Sequence, residues 1–340
     1  MMKTNRAPRT ISHQTLLEIK NALPPAAFRK TPSRLVVVAL HGVVIIFSFH
    51  LAAVMSHWFW ALAAIFISAH SLLCIGFIAH DLSHGSILPH GKIRNLAEIF
   101  IWGINLMSRT IWRKIHNQTH HVHYGTMNDP DRQFVESERS FLSWAYSFLF
   151  LPNENALVGN PLIVLQLFFY NGRNLIAAFC PGTIKPPFVP AKPAYTGRDK
   201  IKILLELLVA GTIQITLFAA TNFNFRLYLV LAVGAYAATS GLSMFYIFTN
   251  HALTPVRDEP SPLEGCTSVI VPGWCDALHS HFSYHTEHHL YPGLNSSFYP
   301  HVSRLLAKKF PDEYQRLPIF QAWKLLWKRP MFDKTSTQGT

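Results

Sequence analysis

Four stretches of the chain, residues 35–56, 58–79, 203–221 and 227–249, are apolar with few interruptions. About 20 consecutive apolar residues in a helix cross the hydrocarbon core of a bilayer, and each stretch approaches or exceeds that length. The last has no charged side chain at all. A helix buried only in a soluble core rarely stays apolar for so long. The pattern therefore predicts an all-α integral membrane protein with four transmembrane helices. The first stretch is too long for a signal peptide, and the second follows it after the single residue His57. Residues 222–226 separate the third from the fourth. Connections this short predict two helical hairpins.

The remaining pattern is weaker. A short helix is expected at residues 13–22, ahead of the first span. Residues 98–111 are apolar but too short to cross, which predicts a helix lying at the interface. Residues 161–179 are also apolar, but Asn171, Gly172, Arg173 and Asn174 interrupt them. A proline-rich loop follows, with Pro181, Pro186, Pro187, Pro190 and Pro193. The domain reading is a cytoplasmic segment 1–34, a membrane domain 35–302 and a basic cytoplasmic tail 303–340.

Charge sets the orientation. The 340 residues are 49% hydrophobic and 14% charged, with a net charge of +12. Lys3, Arg6, Arg9, Lys20, Arg29, Lys30 and Arg34 precede the first span. Arg109, Arg113 and Lys114 follow the second, and Arg304, Lys308, Lys309, Lys324, Lys328 and Arg329 follow the fourth. By the positive-inside bias, both termini and the middle loop are cytoplasmic. Topology alone accounts for the basic excess, which would also attract anionic lipid or an acidic redox partner. No nucleic-acid partner is expected. Cys74, Cys180, Cys266 and Cys275 form no C-x2-C pair, so they read as reduced thiols in apolar settings rather than a zinc ribbon or a disulfide framework.

Candidate chemistry lies beside the spans, in three histidine clusters: His80-x3-His84, His116-x3-His120-His121 and His285-x2-His288-His289. On a helix His84 stands about 40° from His80, while His288 and His289 lie about −60° and +40° from His285. Solvated histidine runs do not repeat at helical spacing next to spans. Eight imidazoles exceed the four ligands of one zinc and suit two metals side by side. His251 ends the fourth span as His80 ends the second, which makes it a ninth candidate ligand, although a lone histidine there could also be a polar cap. Had residues 161–179 spanned alone, the third cluster would lie across the membrane from the others, so that segment is expected to be interfacial or re-entrant. Asp81, Asn128, Asp129, Asp131, Asn250, Asp276 and Glu287 are placed to orient such ligands. Asp129-Pro130-Asp131 could equally cap a turn. His123, His279 and His281 suit orienting or substrate-mouth roles as readily as ligation. His41 and His50, nine residues apart within the first span, fall on opposite helix faces and read as core or interface residues.

These residues resemble those of the membrane fatty acid desaturase family, which also holds hydroxylases and carotenoid ketolases. The resemblance rests on His80-Asp-Leu-Ser-His84-Gly85-Ser86, on Trp112-Arg-Lys-Ile-His116-Asn-Gln-Thr-His120-His121 continuing to Asp131, and on Tyr284-His285-Thr-Glu-His288-His289-Leu-Tyr-Pro292-Gly293. It covers roughly residues 35–302. It implies four spans, a cytoplasmic helical cap and a di-iron centre held by His80, His84, His116, His120, His121, His251, His285, His288 and His289. It also implies O2 as co-substrate, a fatty acyl or other lipid substrate, and electrons from a separate ferredoxin or cytochrome b5-type protein. A redox metal suits attack on an unactivated C–H bond, whereas zinc polarises water or carbonyls. The expected reaction is acyl desaturation, with hydroxylation or decarboxylation to a terminal alkene as variants. The alternatives are a carotenoid ketolase or hydroxylase and, remotely, a metal transporter, for which only His70, with Lys202 and Glu206 near an end, offers an intramembrane ionisable path.

Two features depart from the family pattern. The second cluster has three residues between its first histidine and the pair, where many members have two. On an ideal helix this puts His121 about 140° from His116 and makes His116 the weakest expected ligand there. Ile247 stands where some acyl-CoA desaturases carry an asparagine ahead of the extra histidine.

Overall fold

The computed structural model describes residues 11–55, 57–131, 141–155, 162–183 and 194–332. The expectations for Lys3, Arg6, Arg9, Pro186, Pro187, Pro190, Pro193 and residues 333–340 lie outside these. Helix α1 (His13–Asn21) leads to four helices long and apolar enough to cross a membrane: α2 (Arg34–Met55), α3 (Trp58–Ser83), α9 (Gly197–Ala220) and α10 (Phe225–His251). Between α3 and α9 come α4 (Lys92–Ile104), α5 (Arg109–Trp112), a π-helix (Arg113–His120), α6 (His121–His123), α7 (Phe141–Phe150) and α8 (Gln166–Phe179). After α10 come α11 (Pro262–Gly265), β1 (Ser268–Ile270), α12 (Gly273–Leu278), α13 (His285–Leu290), α14 (Tyr299–Lys309), β2 (Arg316–Pro318) and α15 (Ile319–Leu326).

The long helices present apolar side chains outward. Val43, Phe47 and Leu208 are 63%, 61% and 68% exposed, a surface that lipid tolerates and water does not. Their polar groups turn inward, as Ser48 does toward Ser68 (2.9 Å between hydroxyls). Helix α3 is the central element, packed by α2 on one side and α10 on another. The second expected hairpin is open, because α9 packs chiefly on α4 and meets α10 only slightly. The two helices meet at Gly103 of α4, where an added Cβ would stand 3.3 Å from Ile213 Cδ1 of α9. Gln214 bridges α9 to α10 instead, donating to Tyr236 Oη (2.9 Å) and accepting from Tyr228 Oη (3.0 Å). Helix α8 has 14 residues, about 21 Å, too short to span.

Helix α4 is amphipathic and buries a carboxylate. Glu98 is fully enclosed and accepts from Arg94 Nε (2.7 Å) and Arg109 Nε (2.6 Å), with Arg113 Nη1 at 3.6 Å. Removing the acid would leave the buried Arg94 guanidinium without its counter-charge, which typically costs about 3–5 kcal/mol. Glu98→Ala is therefore expected to lower the thermal midpoint of the detergent-solubilised protein. An unchanged midpoint would show the cluster to be energetically idle.

Among the described residues, the all-α expectation fails at one place. Strands β1 and β2, three residues each, pair in parallel, with Ser268 opposite Arg316. The domain boundary expected at residue 302 falls inside α14. There Val302 and Leu306 pack with Tyr284 and Leu294 and with Ile19 and Leu23 from the N-terminal segment. Ala322, Trp323 and Leu326 of α15 pack against Phe248 of α10. Segments before α2 and after α13 thus join one layer where α3 and α10 end. Their amphipathic repeats found partners distant in sequence, which charge counting does not reveal.

Candidate metal centre

His80 and His84 leave the last turn of α3. Ser83 anchors that end: its carbonyl accepts from Arg94 Nη2 (2.5 Å) and Asn117 Nδ2 (3.0 Å), and its hydroxyl accepts from Trp102 Nε1 (2.9 Å). Gly85 then turns the chain with φ +78, a conformation open to glycine, and an added Cβ would lie 2.7 Å from Arg94 Nη1.

The second cluster is where the structure corrects the helical-wheel expectation. Residues 113–120 form a π-helix, in which His121 N–H donates to His116 O five residues back. The wider turn moves positions five apart onto nearly one face. His116 Nε2 and His121 Nε2 stand 3.3 Å apart, so His116 lies fully within the cluster. The Trp112 ring stacks on His116 at 4.4 Å between centroids. The start of α5 is held by Glu206 of α9, which accepts from Ser108 Oγ (2.5 Å), Thr110 N (3.0 Å) and Thr110 Oγ1 (2.7 Å). Glu206 thereby has a structural partner set in the fold.

All nine histidines meet, in two groups. His80, His84, His116, His121 and His288 offer nitrogens within 4.8 Å of one another, and so do His120, His251, His285 and His289. The groups touch, since the His120 and His116 rings stack at 5.0 Å and His121 stacks on His289 at 4.5 Å. Within them His288 Nε2 lies 3.1 Å from His121 Nε2, and His285 Nε2 lies 2.7 Å from His251 Nε2 and 3.0 Å from His289 Nε2.

The far ring nitrogens show which way these imidazoles are set. His251 Nδ1 donates to Gly265 O (2.9 Å), and a carbonyl only accepts, so Nε2 carries a lone pair into the group. His120 Nδ1 donates to Asp129 Oδ1 (2.7 Å). His288 Nδ1 is 3.2 Å from Tyr299 Oη. Asp81 Oδ1 and Asp131 Oδ2 lie at 3.4 Å from His80 Nδ1 and His116 Nδ1. Burial, followed by the neighbouring rings, holds His84, His116, His121, His285, His288 and His289 well below the usual imidazole range, hence neutral. Burial also works against a charged His120, but the Asp129 carboxylate outweighs it and raises that pKa. His80 Nε2, His84 Nε2 and His289 Nδ1 are buried without a hydrogen-bond partner. Converging lone pairs and orphaned ring nitrogens suit nitrogen-loving first-row metal cations.

Not every expected supporting residue takes part. Asn128 is exposed, and its N–H bonds Thr126 Oγ1 (3.2 Å). Glu287 accepts from Ser268 Oγ (2.6 Å) and Tyr314 Oη, tying α13 to the β1–β2 pair rather than to a histidine. His281 takes φ 56 and sets its ring beside Tyr284. Asp276 accepts from Ser283 Oγ. His123 and His279 belong to neither group. Asn250 is buried, with Oδ1 unpartnered at the wall of a cavity. Conversely, sequence reasoning missed Gly265, Tyr299 and Arg34. Arg34 Nη1 donates to Asp81 Oδ2 (2.6 Å) and to Ser296 Oγ (3.0 Å), bracing the carboxylate behind His80. No local pattern marks the first two, and Arg34 looked like a topology signal alone.

A mainly apolar cavity of about 170 Å³ opens from the cluster into the bundle. Its walls include Leu72, Phe77, Met107 and Met244, and His80, His116, His120, His251 and His285 close one end.

The fatty acid desaturase family model matches residues 55–322, from the end of α2 into α15. Similar relatives include the acyl-lipid (9+3)-(E)-desaturase of Dimorphotheca sinuata, 25% identical over 95% of this chain and 88% of its own length. The Delta(12)-acyl-lipid-desaturase of Punica granatum is 21% identical, over 95% and 87%. Because the matched region contains every histidine of the paired cluster, the chain belongs to the fatty acid desaturase family and is a membrane oxidoreductase of the desaturase type.

Proposed function

We propose that the two histidine groups each hold one iron and that the protein desaturates a fatty acyl chain, lipid-linked as in the names of its relatives, lying in the apolar cavity. The observation that carries this reading is the paired set of converging imidazoles at the end of that cavity. Iron held by these histidines would supply the redox chemistry that oxidation of an unactivated methylene by O2 requires. Forming the double bond releases two hydrogens with their electrons. Two further electrons from a ferredoxin or cytochrome b5-type donor, with two protons, complete the reduction of O2 to water.

The chain's own residues do the positioning. Leu72, Phe77 and Met244 line an apolar path that favours a hydrocarbon and excludes water. Asp129 and Gly265 O hold protons at His120 Nδ1 and His251 Nδ1, so that each Nε2 remains a ligand. Trp112, stacked on His116, fixes that ring against rotation. The depth of the cavity selects which methylene stands beside the cluster.

The test is mass spectrometry of acyl lipids from cells with and without the gene. New unsaturated acyl species, absent with His289→Ala, are expected. Altered carotenoids with an unchanged acyl profile would overturn the reading. The centre and both termini are assigned to the cytoplasm on the strength of the basic residues flanking the spans. A reporter fused after Thr340 that works only outside the cytoplasm would reverse that assignment.

A further inference from the structure

A second set of ligand-type side chains lies deeper in the bundle, about 9–15 Å along α3 from His80. His70 and Cys74 are four residues apart on α3 and share a face. His279, which follows α12, reaches in from the capping layer and places Nε2 3.2 Å from His70 Nε2. Cys74 Sγ is 3.9 Å from the His70 ring nitrogens, and the three ligand atoms lie within 4.8 Å of one another. Cys74 is fully buried and His279 is 8% exposed, while His70 is half-buried and offers a route in.

We propose that His70, Cys74 and His279 form a separate binding site for a soft monovalent cation, copper(I).

Geometry comes first. Two imidazole nitrogens each about 2.05 Å from one metal at a tetrahedral angle stand about 3.3 Å apart, close to the separation of His70 and His279. A nitrogen and a sulfur at about 2.05 and 2.3 Å and at the same angle stand about 3.6 Å apart, within a few tenths of an ångström of the 3.9 Å from Cys74 Sγ to His70 Nε2. Orientation comes second. His279 Nδ1 lies 2.8 Å from Tyr246 Oη, and an Nδ1–H donating to that oxygen leaves the Nε2 lone pair facing His70 and Cys74. Charge and softness choose the ion. One thiolate with two neutral imidazoles cancels a single positive charge, whereas a divalent ion would leave a net charge in an apolar bundle. Thiolate with imidazole is also the donor set that selects copper(I) over harder cations. A metal there would fasten α12 to the middle of α3 and, through Tyr246, to α10. The site shares no ligand with the nine-histidine cluster, so it stands independently of the proposed reaction.

The nine-histidine cluster can also take up copper, so the test reads sulfur. Detergent-purified full-length protein, with iron in place, is titrated with copper(I) under reducing conditions against a chromogenic copper(I) chelator. X-ray absorption is then measured at the copper edge. One sulfur neighbour per tightly bound copper is expected. Cys74→Ser should abolish the sulfur signal and lower affinity at least about 100-fold. Cys266→Ser and Cys275→Ser should keep it, a necessary comparison because Cys266 Sγ lies 3.8 Å from His251 Nδ1. Cys74→Ser exchanges one atom, and retained iron content checks its fold. Copper with nitrogen neighbours only, or a sulfur signal that survives Cys74→Ser, overturns the site. Zinc displacing copper(I) from it overturns the choice of ion.

Discussion

His289→Ala abolishes turnover, with a loss of at least about 100-fold after correction for membrane protein level, since even changes beyond the ligands cost 10–100-fold at metal sites. The same loss is expected for His84→Ala, His120→Ala and His288→Ala. Metal content should separate the two groups. In the group of four, losing His120 or His289 leaves three ligands, and iron should fall from about two per chain to about one. In the group of five, losing His84 or His288 leaves four, and iron should stay near two while turnover is lost. Membrane insertion survives in every case, because the apolar helices drive it. His41→Ala is the contrast. Its Nδ1 meets only Ser71 Oγ (3.1 Å), and His50 on the opposite face is exposed, so both alanine variants should keep substantial activity. Full activity in His289→Ala would remove the third cluster from the centre.

Stripping the metal and restoring a different one separates folding from chemistry. The histidine groups gather ring nitrogens within 4.8 Å of one another, an arrangement that a cation lying between them favours. At a free-metal concentration about 1,000 times Kd, one bound ion stabilises the folded state by about 4 kcal/mol. Chelation should therefore lower the thermal midpoint, and returning iron should restore both midpoint and turnover. Zinc should restore the midpoint and leave turnover at zero, because it has no accessible redox change. Turnover supported by zinc would exclude the oxidative reading. A midpoint insensitive to chelation would show that the cluster is held by its surroundings alone.

Much of the architecture is legible in local pattern. The four apolar stretches become α2, α3, α9 and α10 with ends shifted by only a few residues, since length and hydropathy are properties of one segment. Helix α3 runs on from the expected end at 79 to Ser83 because Arg94, Trp102 and Asn117 satisfy its last polar groups, and those partners lie in other elements. The β1–β2 pair joins segments nearly fifty residues apart, and each strand is too short for alternation to register. Stacking on Phe245 of α10 draws Trp323 into the core, a contact with no signature in the local pattern.

The histidine centre divides along the same line. The sequence alone determined the nine imidazoles, since spacings of three and four residues on helices, and placement at the ends of spans, are local geometry. Tertiary structure decided the rest. It sorted the nine into a five and a four by folding α13 between the ends of α3 and α10. It unwound residues 113–120 into a π-helix, so that His116 joined the site despite a spacing that an ideal α-helix would reject. It placed Gly265 O, Tyr299 and Arg34 behind particular rings and brought His279 to His70 and Cys74. The physical reason is range: helical periodicity is set within about four residues, whereas the partners of the ring nitrogens lie beyond it, 9, 11 and 14 residues on for His120, His288 and His251 and 209 residues on for His70.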